Sequence, residues 1–143
     1  YRPDGMSSPA FSYPYARSRE VLDWMYRENP LDPCHGIKMQ YINPVTGGYP
    51  MPTIGAFLQL LPRGFKSAAY RSTDSTVFCV AEGRGRSQVG DTSLDWKEHD
   101  IFVVPSWSGV IHNAQEDAVL FSFSDRPAQK AFGLWREQAP IPA

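Results

Sequence analysis

The pattern of hydrophobic and polar residues changes near Gly36, from helical spacing to strand-like alternation. Within 17–29, apolar residues recur every three or four positions, which predicts an amphipathic helix that ends before Pro30. These apolar residues are Val21, Leu22, Met25 and Tyr26. The preceding residues 1–16 are rich in Pro, Ser and Tyr without any period, and we expect them to form an extended arm.

Short apolar segments separated by turn residues occupy the middle of the chain, from Gly36 to Ser124. Such segments, at spacings of roughly 8–12 residues, are typical of an antiparallel β-sandwich or barrel. The predicted strands cover 37–42, 56–61, 64–72, 76–81, 86–89, 92–97, 101–104, 110–113 and 118–124.

Helical spacing returns after the last strand, over 127–138, where Pro127 suits the first turn of a helix. The sequence therefore predicts one domain with three parts. They are an N-terminal arm and helix (1–35), a β-barrel (36–126), and a C-terminal helix and tail (127–143). Both helices are expected to pack outside the barrel.

The composition is that of one folded domain without an extended charged surface. The chain has 143 residues, of which 42% are hydrophobic and 20% charged, so it can bury a core and is not expected to be disordered. A net charge of −1 without clustered Lys or Arg argues against a nucleic-acid partner. No apolar run approaches the roughly 20 residues of a membrane-spanning helix. Cys34 and Cys79 form no CxxC motif and are too few for a disulfide framework, so we expect a reducing, cytoplasmic location.

Residues with catalytic or metal-binding potential stand singly along the chain. His35, His99 and His112 occur in no HxH, HxxE or HExxH pair, whereas most iron and zinc sites need at least three protein ligands. The glycines of 83–85 precede a strand and not a helix, so they predict a turn and not a phosphate-binding loop. The segment 106–108 forms no GxSxG elbow. These motifs predict no catalytic residue.

Two segments, 64–83 and 99–116, have the spacing of two known motifs. The first motif reads G-x5-H-x-H-x3-E-x6-G, and Gly64 and Gly83 occupy its glycine positions. Its two histidines and its glutamate are replaced, in chain order, by Tyr70, Ser72 and Thr76. In this spacing the chain resembles the cupins. The resemblance implies an all-β cupin fold, which is a double-stranded β-helix or jelly-roll barrel.

Longer blocks spread over nearly the whole chain carry a finer resemblance. They are FSYPY at 11–15, the segment 19–22, YINPVTGG at 41–48, MPTI at 51–54, QLLPRGF at 59–65, YRSTDSTVF at 70–78, EGRG at 82–85 and FVVPSW at 102–107. These blocks are similar to the C-terminal cupin of gentisate 1,2-dioxygenases and their salicylate and hydroxynaphthoate relatives, which are bicupins. The resemblance implies a parent oxidoreductase of aromatic hydrocarbon catabolism that opens the ring of an aromatic hydroxy acid with Fe(II) and O2.

The same resemblance implies that this chain holds no metal and has no catalytic residue of its own. In the family, Fe(II) lies in the N-terminal cupin, held by an HxH pair and by a third His in a P-x-W-x-W-H-x-H segment. Here the HxH positions carry Tyr70 and Ser72, and the third ligand position carries Val110. The second His of that segment, which faces the substrate in the catalytic cupin, corresponds to His112. Fe(II) is therefore expected in the N-terminal cupin of the same parent chain.

Strand parity places the replaced ligand positions together inside the barrel. Val110 and His112 differ by two residues and share one face of a strand, and Tyr70 and Ser72 join them by the same parity. The predicted candidates for a barrel-interior pocket are Tyr70, Ser72, Val110, His112, Trp107 and Gln59. A structural hydrogen-bonded cluster and a residual ligand pocket both remain open.

Three functions remain open on the sequence. The chain is the metal-free cupin of a gentisate-type dioxygenase, a stand-alone cupin that binds a small aromatic acid without metal, or a structural oligomerisation domain. The lack of an initiating Met favours a fragment that is inactive by itself. The expected partners are the N-terminal cupin of the same parent chain and further copies in a homo-oligomer. The arm, with Phe11, Tyr13 and Tyr15, is expected to pack on such a partner.

Overall fold

A computed structural model describes residues 12–141, which form antiparallel sheets around a shared core. The helices are α1 (Tyr15–Glu28) and α2 (Arg126–Ala131). The strands are β1 (Ile37–Gln40), β2 (Gly55–Leu61), β3 (Arg71–Ser72), β4 (Thr76–Glu82), β5 (Arg84–Val89), β6 (Thr92–Lys97), β7 (Ile101–Val104), β8 (Val110–Ala114), β9 (Ala118–Ser124) and β10 (Glu137–Gln138). Neither helix of this part of the chain is long and apolar enough to cross a membrane.

The strands form a jelly roll whose sheets are not joined into one closed barrel. The largest sheet has the order β1-β2-β9-β4-β7, a second has the order β6-β5-β8, and β10 pairs with β3. Every pair is antiparallel. Backbone hydrogen bonds between Tyr70 and Val110, at 3.1 and 2.8 Å, connect the β3 segment to β8. The predicted all-β jelly roll is confirmed. The predicted strand 64–72 is reduced to β3 and isolated bridges at Lys66 and Tyr70.

Helix α1 packs on the outer face of the largest sheet, as predicted. Leu22 is fully buried there, and Met25 packs against the same cluster. Their sheet partners are Ile37, Leu58, Leu60 and Val119. The other two apolar residues of the helical stripe, Val21 and Tyr26, are exposed. Only two of the four apolar residues of the predicted helical stripe therefore contact the sheet.

The C-terminal helix is much shorter than the predicted 127–138. Helix α2 ends at Ala131, and Gly133 follows with a φ of 68°, a conformation that glycine adopts without steric cost and that reverses the chain direction. The reversal brings β10 beside β3. Leu134 is exposed, while Trp135 turns towards the barrel.

The described part of the N-terminal arm contacts this chain's own sheet. The Tyr13 hydroxyl donates to the Ile42 carbonyl oxygen at 2.6 Å, and its ring lies 5.1 Å from that of Tyr41. The Tyr15 hydroxyl donates to Glu82. Phe11 and the rest of the arm lie outside the described residues, so the predicted contact of the arm with a partner remains a prediction.

Candidate functional site

The jelly roll has an apolar end and a polar end, because the inward-facing positions of its strands change character along their length. On β9 the inward residues run from Leu120 through Ser122 to Ser124, and Arg126 at the start of α2 also lines the cavity. On β4 they run from Val80 through Phe78 to Thr76. The apolar ends meet in one buried cluster, and the polar ends surround a cavity.

The cavity at the polar end is small, at about 30 Å³ of space open to the centre of a water molecule. It is lined by ionisable or hydroxyl-bearing side chains from elements far apart in the sequence, and by a few apolar ones. The polar lining includes His35, Lys38, Tyr70, Ser72, Asp74, His112, Ser122 and Arg126. A wider mouth of about 360 Å³ shares His35, Lys38, Phe57 and Arg126 with the cavity and adds Met39 and Trp135.

Four of the six sequence-predicted pocket candidates line this cavity. They are Tyr70, Ser72, Val110 and His112. Gln59 is buried, and its side-chain amide donates to the His35 carbonyl oxygen at 3.3 Å, but it does not line the cavity. Trp107 is also absent from the cavity. It has a φ of 60°, is 39% exposed, and lies against Arg71 with the guanidinium carbon 4.4 Å from the ring centroid.

His112 is held by a buried network that joins the strands of the smaller sheet. Its Nδ1 lies 2.7 Å from the Ser87 hydroxyl, which also accepts a hydrogen bond from Trp96 Nε1 at 2.8 Å. Burial, and secondarily the charge of Lys38, lowers the pKa of His112 to about 4. The imidazole is therefore neutral near pH 7, and its Nε2 edge is left for the cavity.

His35 lies in the cavity wall although it precedes the first strand of the sheet. Gly36, with a φ of 67°, turns the chain just before β1, and the His35 ring packs edge-on against Tyr70 with centroids 4.4 Å apart. Burial, followed by the charges of Lys38 and Arg126, lowers the pKa of His35 to about 2. No periodic signal in the sequence marks this placement. His99, by contrast, is exposed in the turn before β7.

Asp74 and Arg126 form an ion pair at the cavity. Arg126 Nε lies 3.5 Å from a carboxylate oxygen of Asp74, whose side chain is fully buried, and Trp135 Nε1 donates to the other oxygen at 2.9 Å. Burial by itself would raise the pKa of Asp74, but Arg126 and the hydrogen bond from Trp135 outweigh it and hold this pKa below its usual range. The pair is therefore charged near pH 7, and Arg126 has its counter-ion within the protein.

Tyr70 bonds to this pair and not to His112. Its hydroxyl accepts from Arg126 Nη2 at 3.1 Å and donates to Glu137 of β10 at 2.9 Å. Burial chiefly, with a further contribution from Glu137, raises the pKa of Tyr70 to about 12. Tyr70 and His112 thus line one cavity but belong to separate hydrogen-bond networks.

The residues at the three ligand positions of the first motif and its downstream segment do not fit a ferrous site. Val110 has no donor atom, Ser72 offers a neutral hydroxyl, and the raised pKa of Tyr70 keeps the phenol protonated. Residues 12–141 contain no group of three or more His, Cys, Asp and Glu side chains arranged to hold a metal ion.

The sequence is similar to curated ring-cleaving dioxygenases. It is 58% identical to gentisate 1,2-dioxygenase 1 of Aquipseudomonas alcaligenes over 137 residues, which are 96% of this chain and 40% of that protein. It is 38% identical to the 5-aminosalicylate 1,2-dioxygenase of a Comamonas species over 146 residues, covering 97% of this chain and 39% of that protein. The chain thus spans about two-fifths of the length of these relatives. No protein-family model matches it.

Solved structures support the same relationship. The salicylate 1,2-dioxygenase of Pseudoaminobacter salicylatoxidans, in its adduct with gentisate, matches 88% of this chain and 36% of its own length with a TM-score of 0.81 at 31% identity. The cupin domain of Schizosaccharomyces pombe Cnp3, at 19% identity and a TM-score of 0.55 over 68% of this chain, shares the fold alone. These matches confirm the cupin fold, and the chain corresponds to one domain of the bicupin gentisate 1,2-dioxygenase family.

Proposed function

We propose that this chain is the metal-free C-terminal cupin of a gentisate 1,2-dioxygenase-like enzyme. The observation that carries the proposal is the joint replacement of the three ligand positions, now Tyr70, Ser72 and Val110, within a cavity that has kept the cupin geometry. A protonated phenol, a neutral hydroxyl and an alkyl group give Fe(II) no ligand set. The catalytic Fe(II) then belongs to the N-terminal cupin of the same parent chain.

The parent's substrate class follows from the chemistry of the relatives' substrates. The relatives are dioxygenases of gentisate, 5-aminosalicylate and 1-hydroxy-2-naphthoate, all aromatic acids with a hydroxyl group next to the carboxylate. We assign the parent the same class. Its ring would be opened between the carboxylate-bearing carbon and the hydroxylated neighbour, with both atoms of O2 entering the product. The N-terminal half supplies Fe(II) chemistry, and the present domain supplies packing.

An exposed apolar face supports the N-terminal cupin as the partner of this domain. Ile101, Val103 and Phe123 project from the outer face of the largest sheet and are 68%, 50% and 41% exposed. A contiguous apolar surface on a sheet favours burial against another domain. The relatives are about two and a half times as long as the matched region, so a further domain is available in the parent. A homo-oligomer of the parent remains part of this proposal.

The test is metal content and oxygen uptake, measured in parallel on this chain and on its full-length parent. The purified, dialysed chain should contain far less than about one iron atom per molecule and should not consume O2 with gentisate. The parent should bind iron and turn over. Tyr70→Phe in the parent should leave its iron content unchanged, since the phenol is not a ligand. Stoichiometric iron in the isolated chain, lost in Tyr70→Phe or His112→Gln, would overturn the proposal.

A further inference from the structure

Lys38 faces the cavity, where an apolar side chain would be expected in a protein core. Its neighbours on β1, Ile37 and Met39, pack outward beneath α1, so strand parity turns Lys38 inward. The side chain is mostly buried, and its ammonium nitrogen lies 4.6 Å from the centroid of the Phe57 ring. Among residues 12–141, no carboxylate oxygen lies within 4.0 Å of that nitrogen.

Three carboxylates, Asp74, Glu137 and Asp32, lie near Lys38, but none of them forms an ion pair with its ammonium nitrogen. Asp74 is already paired with Arg126 and bonded to Trp135. The guanidinium carbon of Arg126 lies 5.1 Å from the centroid of the same Phe57 ring, so both cations lie against one aromatic side chain. Lys38 is therefore held without a direct ion pair, and burying an ammonium group without one is costly.

Ser122 gives a second, independent indication of a ligand. Its hydroxyl is 1% exposed, lines the cavity and has no hydrogen-bond partner among the described residues. Buried polar groups in native proteins are nearly always hydrogen-bonded, so an unpartnered hydroxyl in a cavity wall indicates a group that binds there. The same cavity wall also presents the neutral imidazole of His112.

We propose that this cavity binds the carboxylate group of a monocarboxylic acid, with Lys38 as its charge partner and with Ser122 and Arg126 as hydrogen-bond donors. A carboxylate bound at hydrogen-bond distance would give Lys38 the direct ion pair that it lacks among the described residues. A carboxylate accepts several hydrogen bonds at once, which matches a wall of hydroxyl and N–H donors. The inference concerns this chain alone and does not depend on iron chemistry in the parent.

The sizes of the cavity and of the mouth indicate where the two parts of the ligand lie: the carboxylate in the cavity and the hydrocarbon body in the mouth. A cavity of about 30 Å³ on this measure has room for a carboxylate group but not for an aromatic ring. The mouth is about ten times larger. Phe57, Met39 and Trp135 give it apolar surface suited to a hydrocarbon body, and Asp32, Gln40 and Glu137 make the rest of its lining polar. Acetate would use the inner cavity alone, and an aromatic acid such as benzoate would extend into the mouth.

The site predicts a defined dependence on pH. Burial, followed by the charge of Arg126, lowers the pKa of Lys38 to about 8. A bound carboxylate favours the ammonium form and should raise this pKa, and the affinity for the carboxylate should fall as the pH rises through that range. The charged or titratable groups near Lys38 are Arg126, Asp74, Glu137, Asp32, His35 and His112. The two histidines have pKa values of about 2 and about 4 and do not titrate there.

The experiment is calorimetric titration of the 143-residue chain with sodium acetate, benzoate, gentisate and chloride at constant ionic strength. Lys38→Met removes the charge and keeps the length of the side chain. Lys97→Met, at an exposed position on β6, is the matched control. We expect carboxylate binding in the wild type and in Lys97→Met, and about tenfold or greater weakening in Lys38→Met.

The relative affinities of the acids indicate whether the ligand is an aliphatic or an aromatic acid. Binding of acetate as tightly as benzoate supports a small aliphatic acid, whereas preference for benzoate or gentisate supports an aromatic one. No carboxylate binding, equal binding of chloride, or unchanged binding in Lys38→Met overturns the proposal. If Lys38→Met fails to fold, the titrations of the wild-type chain with the three carboxylates and with chloride, and their pH dependence, test the proposal. A carboxylate affinity that does not weaken between pH 7 and about pH 9 also overturns it.

Discussion

Ser87→Ala is the most direct test of the buried polar network that fixes His112. Ser87 lies on β5, directly opposite Leu94 of β6 and His112 of β8. Its hydroxyl is shared between Trp96 Nε1 at 2.8 Å and His112 Nδ1 at 2.7 Å. Ser87, Trp96 and His112 are 0%, 4% and 2% exposed, so water cannot replace the lost oxygen without rearrangement of the core.

The expected loss of stability follows from the two groups left without a partner. An unsatisfied buried donor or acceptor costs about 1–3 kcal/mol, so the two groups together should lower the free energy of unfolding by about 2–6 kcal/mol. The methyl group of Ala retains the Cβ, so the volume lost is one oxygen atom and adds little. The loss is a large share of the about 5–15 kcal/mol by which proteins are stable.

Urea unfolding followed by tryptophan fluorescence and far-ultraviolet circular dichroism measures this loss. With m of ~2 kcal/mol/M, the midpoint should fall by about 1–3 M at unchanged m. Ser93→Ala, at an exposed position on β6, is the matched control and should change stability by less than about 0.5 kcal/mol. Equal midpoints for the two variants would refute the network. In a double-mutant cycle, Ser87→Ala and Trp96→Phe should be less than additive.

Three further predictions follow from other buried groups. Burial lowers the pKa values of His35 and His112 below their unfolded value of about 6.5, so the contribution of these neutral histidines to the free energy of unfolding is complete above that pH and is lost as the pH falls towards 4. The contribution of His112 is about 3 kcal/mol. A urea midpoint that stays constant between pH 7 and 4 would contradict this prediction. Leu22→Ala should destabilise by about 2–5 kcal/mol, whereas Val21→Ala on the exposed side of α1 should change the melting temperature far less. Asp74→Asn should lower the free energy of unfolding by about 3 kcal/mol, because it leaves Arg126 without its counter-ion. Asp95→Asn, at the exposed ion pair with Arg86, should not measurably change the melting temperature. Similar shifts of the melting temperature for both variants would refute the role of the buried pair.

Local sequence patterns were sufficient to predict most of the strands and α1. Residues 76–81, 92–97, 101–104 and 118–124 were predicted within one residue of the observed strands. Strand character and turn residues are local properties, because each strand buries one face and each turn needs residues that reverse the chain. The same alternation predicted Val110 and His112 on one face of a strand, and both line the cavity.

Local patterns failed where a contact between distant segments decides the conformation. The spacing of Ala131, Leu134 and Trp135 predicted a helix over 127–138, but Trp135 bonds to Asp74 and residues 137–138 pair with β3. These tertiary contacts outweigh a weak helical preference. Trp107 was one of the predicted pocket candidates, and it lies in a turn with positive φ, is 39% exposed and does not line the cavity.

The sequence by itself determined the fold class and the succession of strands along the chain, since these depend on residue type and spacing, and its resemblance to the cupin motifs implied the replacement of the three ligand positions. Only the tertiary structure decided what lies around those positions. Lys38 from β1, His35 from the preceding turn and Arg126 from the start of α2 meet in one cavity although up to 91 residues separate them. No local period records such a meeting, because Lys38 turns inward only when the other face of β1 packs beneath α1, and His35 and Arg126 lie outside the strands.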